Sequence, residues 1–254
     1  MRIILKYRTD NDILPINNQH IVNAYIHKCL GEDNEYHDEF SEYNISFLMG
    51  GKLHNKEELI FKDKAFIIVS SPNNAFINDL IEKVYDNPKI LGNIELESIE
   101  HITEKFYNGL NHFSTLTPIF LKDIMARMDK DTYTLVKSGV KDKRDLNHRR
   151  VYITIKNNSN FKEYFKRYLI KCLNVGMGDD FDSDKFDVII TDKNPKVKFI
   201  KIKNNIVYCS LFNFTLVCNK KVAEYFYNMG IGHSRGSGFG TICTTQKREE
   251  YFRI

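Results

Sequence analysis

Residues 65–102 read AFIIVSSPNNAFINDLIEKVYDNPKILGNIELESIEHI, and this stretch decides the fold. Ala65–Val69 is a short apolar block rich in β-formers, the pattern of a strand. From about Asn74 the period changes. Phe76, Ile77, Leu80, Ile81, Val84 and Tyr85 recur at three and four residues, which gathers them on one helical stripe. Asn87-Pro88 ends that helix, because proline has no N–H and pushes the residue before it out of the helical region. A further strand is expected over Ile94–Ile102. Upstream, Ile3–Tyr7 reads as a strand, and Pro15 precedes a helix capped by Asn17 or Asn18. The apolar positions of that helix are Val22, Tyr25, Ile26, Cys29 and Leu30. A strand around Ile45–Met49 completes the order β-α-β-β-α-β.

The second half repeats that order. A strand is expected at Thr115–Leu121, then a helix presenting Phe161, Tyr164, Phe165, Tyr168, Leu169, Cys172 and Leu173 at 3–4 spacing. Strands follow at Asp187–Thr191, Val197–Lys203 and Ile206–Val217. A short helix carries Val222, Tyr225, Phe226 and Met229, and Gly230 stands where a left-handed residue would stop it. A closing strand is expected near Phe239–Thr245. Each half therefore reads as a ferredoxin-like (RRM-like) unit, and the chain as an α+β protein of two such domains, 1–115 and 116–254. No Ser/Gly-rich linker separates them.

Charge is segregated. Formal net charge is only +4, yet Lys193 to Lys221 holds seven lysines and no acidic residue, just downstream of Asp179, Asp180, Asp182, Asp184 and Asp187. Such a division can aim a basic surface at phosphates, and it is also what a plain solvated face looks like. The five cysteines are scattered without a C-x-x-C pair, so a disulfide framework and a zinc site are not expected, and a reducing cytoplasm is. The N-terminus turns charged too early for a signal peptide and no apolar run reaches transmembrane length, so no membrane partner is expected. The Asp179–Asp187 run lacks the central glycine and closing glutamate of an EF-hand. No metal or other cofactor is expected.

The most specific motif is Gly230-Ile-Gly-His-Ser-Arg-Gly-Ser-Gly-Phe-Gly240. Glycines let a backbone approach a ligand closely, as phosphate contact requires, and they also make a plain tight turn. Dinucleotide and P-loop motifs follow a strand and open a helix, whereas this run follows a helix and opens a strand. With Gly230, Gly232, Gly238, Phe239 and Gly240 in place, the run resembles the signature of the CRISPR-associated RAMP superfamily. Within it the chain is similar to the repeat-processing endoribonucleases, the sixth class of CRISPR-associated proteins. Leu14, Pro15, Asn17 and Gln19 at the first helix, a histidine soon after it, and Thr115-Leu-Thr-Pro-Ile119 carry that likeness further.

RNA brings its own nucleophile. A deprotonated 2′-hydroxyl held in line attacks the neighbouring phosphate, leaving a 2′,3′-cyclic phosphate and a 5′-hydroxyl. The enzyme must supply a base, an acid and a group that stabilises the phosphorane, without needing a metal. Histidine suits either proton role near neutral pH. His20 and His27 lie seven residues apart on one face of the first helix, and His37 follows in the loop Glu35-Tyr-His-Asp38. The resemblance implies a catalytic role for His37 and places His27 where relatives often carry a tyrosine. Where some relatives carry a lysine this chain has Tyr43 or Asn44, so the third role is left among Lys28, Lys52 and Tyr43. His54 is a lesser candidate; His101, His112 and His148 have no such context.

Candidate RNA contacts are Lys28, Lys52, Arg149, Arg150, Gly232, His233, Ser234, Arg235, Gly236 and Gly238, with Lys137, Lys141, Lys143 and Arg144 in the same charged stretch as Arg149 and Arg150. Alternation is expected to place the lysines at 196, 198, 201 and 203 together on one strand face. Most aromatic residues fall in core patterns rather than on stacking surfaces. The resemblance implies CRISPR repeat RNA as substrate, an interference complex as a further partner, and a homodimer as one possible assembly. The alternative from a different class is a non-catalytic RAMP subunit that binds guide RNA and scaffolds such a complex.

Overall fold

The computed structural model describes residues 1–31, 36, 42–124, 127–141, 150–178, 181–202 and 205–251. In chain order the first half runs β1 (Arg2–Arg8), β2 (Asp12–Pro15), α1 (Gln19–Leu30), β3 (Asn44–Ile45), β4 (Lys52–Leu53), β5 (Glu58–Phe61), β6 (Lys64–Ser70), α2 (Asn74–Asp86), β7 (Lys89–Leu91) and β8 (Ile94–Ile102). The second half runs β9 (Gly109–Thr115), β10 (Lys122–Ile124), α3 (Lys130–Gly139), β11 (Arg150–Tyr152), α4 (Phe161–Gly176), β12 (Asp187–Ile190), β13 (Lys196–Ile202), β14 (Asn205–Leu211), β15 (Asn213–Cys218), α5 (Lys220–Met229), β16 (Ile242–Thr244) and α6 (Arg248–Tyr251).

The first sheet has the order β3-β6-β1-β8-β7 and the second the order β12-β15-β9-β16. Without the edge strand β7, both are the antiparallel arrangement of a ferredoxin-like unit, with two helices between the strands. The fold class inferred from the sequence is the one observed.

The central strands read as unbroken apolar runs because both of their faces are covered. Ile3, Leu5 and Tyr7 of β1 and Ala65, Ile67 and Val69 of β6 pack under Val22 and Ile26 of α1 and Phe76, Ile77 and Leu80 of α2. The alternate residues Ile4, Phe66 and Ile68 turn the other way and meet Leu116, Cys243 and Tyr251 of the second unit. In the second unit Phe113, Val188, Phe214 and Leu216 pack against Phe161, Phe165, Leu169 and Leu173 of α4 and Val222 and Phe226 of α5. All five cysteines are free and buried. Among the described residues no helix is long and apolar enough to cross a membrane.

Arg2 ties the two units together. Its guanidinium, 1% exposed, donates to the carbonyls of Ile242 (2.6 Å) and Tyr227 and lies 3.5 Å from the centre of the Tyr227 ring. Losing it would leave two buried carbonyls unsatisfied, at about 1–3 kcal/mol each.

Several expected elements are placed differently. The first strand of the second sheet is Gly109–Thr115 rather than Thr115–Leu121, so the chain enters that sheet ahead of the 115/116 division. This strand leaves Leu110 and His112 exposed and buries Asn111 and Phe113, so it lacks a clean apolar-in, polar-out alternation. Residues beyond it run beside β14 instead, through the Ile119–Ser210 bridge. The expected strand Ile206–Val217 breaks at Phe212, which passes from β14 to β15 and is itself core. The strand expected at Ile45–Met49 is regular only over Asn44–Ile45; beyond it Ser46 also bridges Gly238, and contact with β6 resumes at the Met49–Phe66 bridge. The β13–β14 register is unbroken, which puts Lys196 and Lys198 on one face and Lys201 on the other, not on one face together.

Candidate active site

The glycine segment follows α5 and threads along the seam between the two units. The Asn44 amide holds it from the first unit, donating to the carbonyls of Phe239 (2.7 Å) and Arg235 (3.3 Å) and accepting from the Thr241 hydroxyl (2.7 Å). The Tyr43 ring stacks on Phe76 at 4.7 Å and presses on Gly236, where a Cβ would lie 2.6 Å from the ring. At Gly240, with φ +74°, a Cβ would sit 1.8 Å from the Ile231 carbonyl oxygen. The close approaches that require glycine here are therefore approaches of protein to protein.

Beside this seam opens a cleft of about 640 Å³. The first unit lines it with Asn23 and His27 of α1 and with Tyr43. The opposite wall comes from α4 (Tyr164, Arg167, Tyr168, Lys171) and from Lys122, Asp123 and Arg127. The glycine loop, residues 232–237, forms its rim. His27 and Asn23 reach the cleft from one helix face because they are four residues apart. On α4 the positions 164, 167, 168, 171 and 175 make a second stripe, next to the Phe161, Phe165, Leu169, Leu173 stripe that faces the core.

The electrostatics favour an anion. Among the described residues, Lys122, Arg127, Arg167, Lys171 and Arg235 share the cleft with two carboxylates, Asp123 and Asp129. Asp129 caps α3 by accepting from the Thr132 backbone N–H and hydroxyl, and those bonds hold its carboxyl below the usual range. Asp123 accepts from the Tyr164 hydroxyl at 3.1 Å; burial first, then that carboxylate, pushes the Tyr164 phenol up. Burial, with Lys122, Arg235 and Lys171 adding positive charge, pushes His233 down to about 4. Its ring is therefore neutral at pH 7. Its Nδ1 accepts from the Lys122 backbone N–H at 3.3 Å, which leaves Nε2 to carry the proton. Burial also pushes the Cys172 thiol up, so it is no thiolate nucleophile.

Of the candidate catalytic residues, His27 and Tyr43 are brought together on the cleft, and His37 lies outside the described residues. Gly232, His233, Ser234, Arg235 and Gly236 all reach the cleft. Arg235 is 7% exposed and its guanidinium donates to the Gly232 carbonyl at 3.4 Å, so part of its work is to brace the loop. Gly238 is covered by Phe47, whose ring carbon would lie 2.2 Å from a Cβ there. Lys28 and Lys52 are exposed and do not line the cleft. Arg149 lies outside the described residues, and Arg150 is described in its backbone alone, in β11. His20 is exposed, its Nδ1 3.0 Å from the Asn17 carbonyl, and His54 and His101 are exposed away from the cleft. Sequence reasoning missed Lys122, Arg127, Arg167 and Lys171. The i, i+4 spacing of Arg167 and Lys171, interleaved with Tyr164 and Tyr168, was the signal available for two of them. Among the described residues no group of three or more His, Cys, Asp or Glu converges as a metal site.

A family model described as "CRISPR associated protein Cas6, C-terminal" matches residues 101–243. The chain belongs to the Cas6 family. It is 27% identical to the CRISPR-associated endoribonuclease Cas6 1 of Methanocaldococcus jannaschii, over 98% of this chain and 95% of that protein. Its fold is shared with a solved Cas6-related protein from Pyrococcus furiosus (TM-score 0.77, 19% identity, 97% of this chain and 99% of that one). A RAMP protein described as binding different RNA substrates has the same fold (TM-score 0.74, 23% identity, 96% and 99%). The Cas6 assignment bears out the resemblance carried by the glycine segment.

Proposed function

We propose that this chain is an endoribonuclease that cuts CRISPR repeat RNA in the cleft between its two units, by attack of a 2′-hydroxyl and without a metal ion. The observation that carries this is one cleft holding a histidine, a tyrosine and a wall of cations against the glycine loop. The M. jannaschii relative's name as an endoribonuclease supports the same activity.

The chemistry divides between the walls. A base takes the 2′-hydroxyl proton, the 2′-oxygen bonds to phosphorus, and the bond from phosphorus to the 5′-oxygen breaks as an acid protonates that oxygen. The products are a 2′,3′-cyclic phosphate and a 5′-hydroxyl. His27 and His37 share the acid and base roles. Lys122 and Lys171 bind the phosphate, and the Tyr43 hydroxyl donates to the phosphorane oxygen, a role supported by its position on the cleft beside Gly236. On this account the product is a guide RNA, and the partners are repeat RNA and the interference complex that takes the guide.

The test is His37→Ala and wild type on repeat RNA from the same genome, with binding and cleavage measured side by side. Cleavage by wild type, with binding kept and cleavage lost in the variant, is the expected result. Tight binding by wild type with no cleavage would replace the nuclease by a guide-binding scaffold.

A further inference from the structure

The β13–β14 hairpin is an addition to the ferredoxin-like unit, and its two faces are unlike. The inner face is core: Ile200, Val207 and Cys209 pack on Phe120 and Phe239. The outer face leaves large apolar groups in water. Phe199 is 67% exposed, Ile206 55% and Tyr208 38%. Phe199 and Tyr208 are direct cross-strand partners, with ring centres 5.0 Å apart. The series continues inward without a gap: Tyr208 to Tyr152 is 5.7 Å, Tyr152 to Phe120 5.8 Å, and Phe120 to His233 on the cleft 6.3 Å. Cations accompany the rings. Lys201 shares the face of Phe199, Lys196 and Lys198 stand exposed on the same strand, and the Lys122 ammonium lies 5.5 Å over Phe120.

We propose that the outer face of this hairpin, with Phe199 and Tyr208 and with the half-buried Tyr152 of β11 against Tyr208, is a stacking platform for unpaired bases of the RNA whose phosphate lies in the cleft. The proposal rests on the RNA-cleaving function above and extends its site outward. Aromatic rings accept the π-face of any base, and neighbouring lysines follow the backbone, which is how single strands are held without sequence readout. The charge points the same way, since residues 193–223 contain no Asp or Glu to repel a phosphate. A protein partner fits less well. Three rings and one isoleucine offer far less than the roughly 800 Å² per partner of a stable interface. β13 pairs only with β14 among the described residues, and its lysines oppose addition of another strand to that open edge.

The experiment measures affinity of fluorescein-labelled repeat RNA at one fixed salt concentration, beside the single-turnover cleavage rate at saturating RNA. It compares wild type, Phe199→Ala with Tyr208→Ala, Phe199→Leu, and Phe199→Trp. About tenfold weaker binding is expected for the double variant, with an unchanged saturating rate and an unchanged melting temperature. Phe199→Leu should weaken binding and Phe199→Trp should preserve it, because stacking needs a ring and apolar bulk does not suffice. Unchanged affinity in the double variant, with cleavage intact, overturns the platform and leaves the nuclease standing. Unchanged affinity with loss of self-association in sedimentation also overturns it, and makes the face a protein interface. Failure of wild type to bind repeat RNA at all defeats the nuclease reading itself.

Discussion

Helices α1 and α4 hold the same place in the two repeats, yet they bring different chemistry to one cleft. Each turns an apolar stripe to its own sheet, Val22 and Ile26 on α1 and Phe165 and Leu169 on α4. Beside that stripe α1 offers Asn23 and His27, with Tyr43 close by, whereas α4 offers Tyr164, Arg167, Tyr168 and Lys171. On the proposed mechanism the first unit supplies the proton-transfer groups, and the second supplies positive charge. The same packing unit used twice, with different residues beside its core stripe, makes a site that neither unit contains alone. The Asn44 bonds and the Arg2 strut make the division workable by holding the two walls at one spacing.

Substitutions on the two walls should separate rate from affinity. The largest effect is expected for His27→Ala, with the single-turnover cleavage rate at saturating repeat RNA falling about 10²–10⁴-fold while binding is kept. A wild-type rate in that variant would remove α1 from the chemistry. Next comes the seam between the walls. Gly240→Ala should cost about 3 kcal/mol or more, from positive-φ strain and the Ile231 carbonyl together. Its melting temperature should fall by roughly 6–12 °C for a chain of this size. An unchanged melting curve would return that glycine to a purely RNA-facing role.

On the cationic wall, Lys122→Ala and Lys171→Ala should each weaken binding about equally for all RNA sequences and reduce the slope of log affinity against log salt by about 1. A loss confined to one sequence would mean base contact instead. The smallest effect concerns His233. Its folded value near 4 lies below the ordinary 6.5, so between these pH values the unfolded chain binds more protons and stability falls with falling pH. Urea titrations from pH 7 to pH 4 should show a shallower decline in His233→Gln than in wild type. An identical decline in the two proteins would show that the ring is not held neutral.

Much of the fold was legible because its signals are local. The Phe76–Tyr85 stripe and the Asn87-Pro88 stop fixed α2, which ends at Asp86. Strand β9 was hidden because it exposes Leu110 and buries Asn111, which breaks the alternation that marks a half-buried strand. The glycine segment identified the family correctly, but its packing on the first unit was not legible, since contacts of Tyr43 and Phe47 with Gly236 and Gly238 span about 190 residues and leave no trace in local spacing. The cation wall was unread for a similar reason: Lys122 and Lys171 meet only through the tertiary fold. His27 and Tyr43 were both candidates from the sequence, and the geometry brings them to one cleft.

The most direct test of the central claim is cleavage of repeat RNA in excess EDTA, with and without a single 2′-deoxy substitution at the cut site. The account predicts cleavage in EDTA that the 2′-deoxy substitution abolishes, with a 2′,3′-cyclic phosphate on the upstream product. Cleavage of the 2′-deoxy RNA, or cleavage that EDTA stops and added magnesium restores, would contradict it.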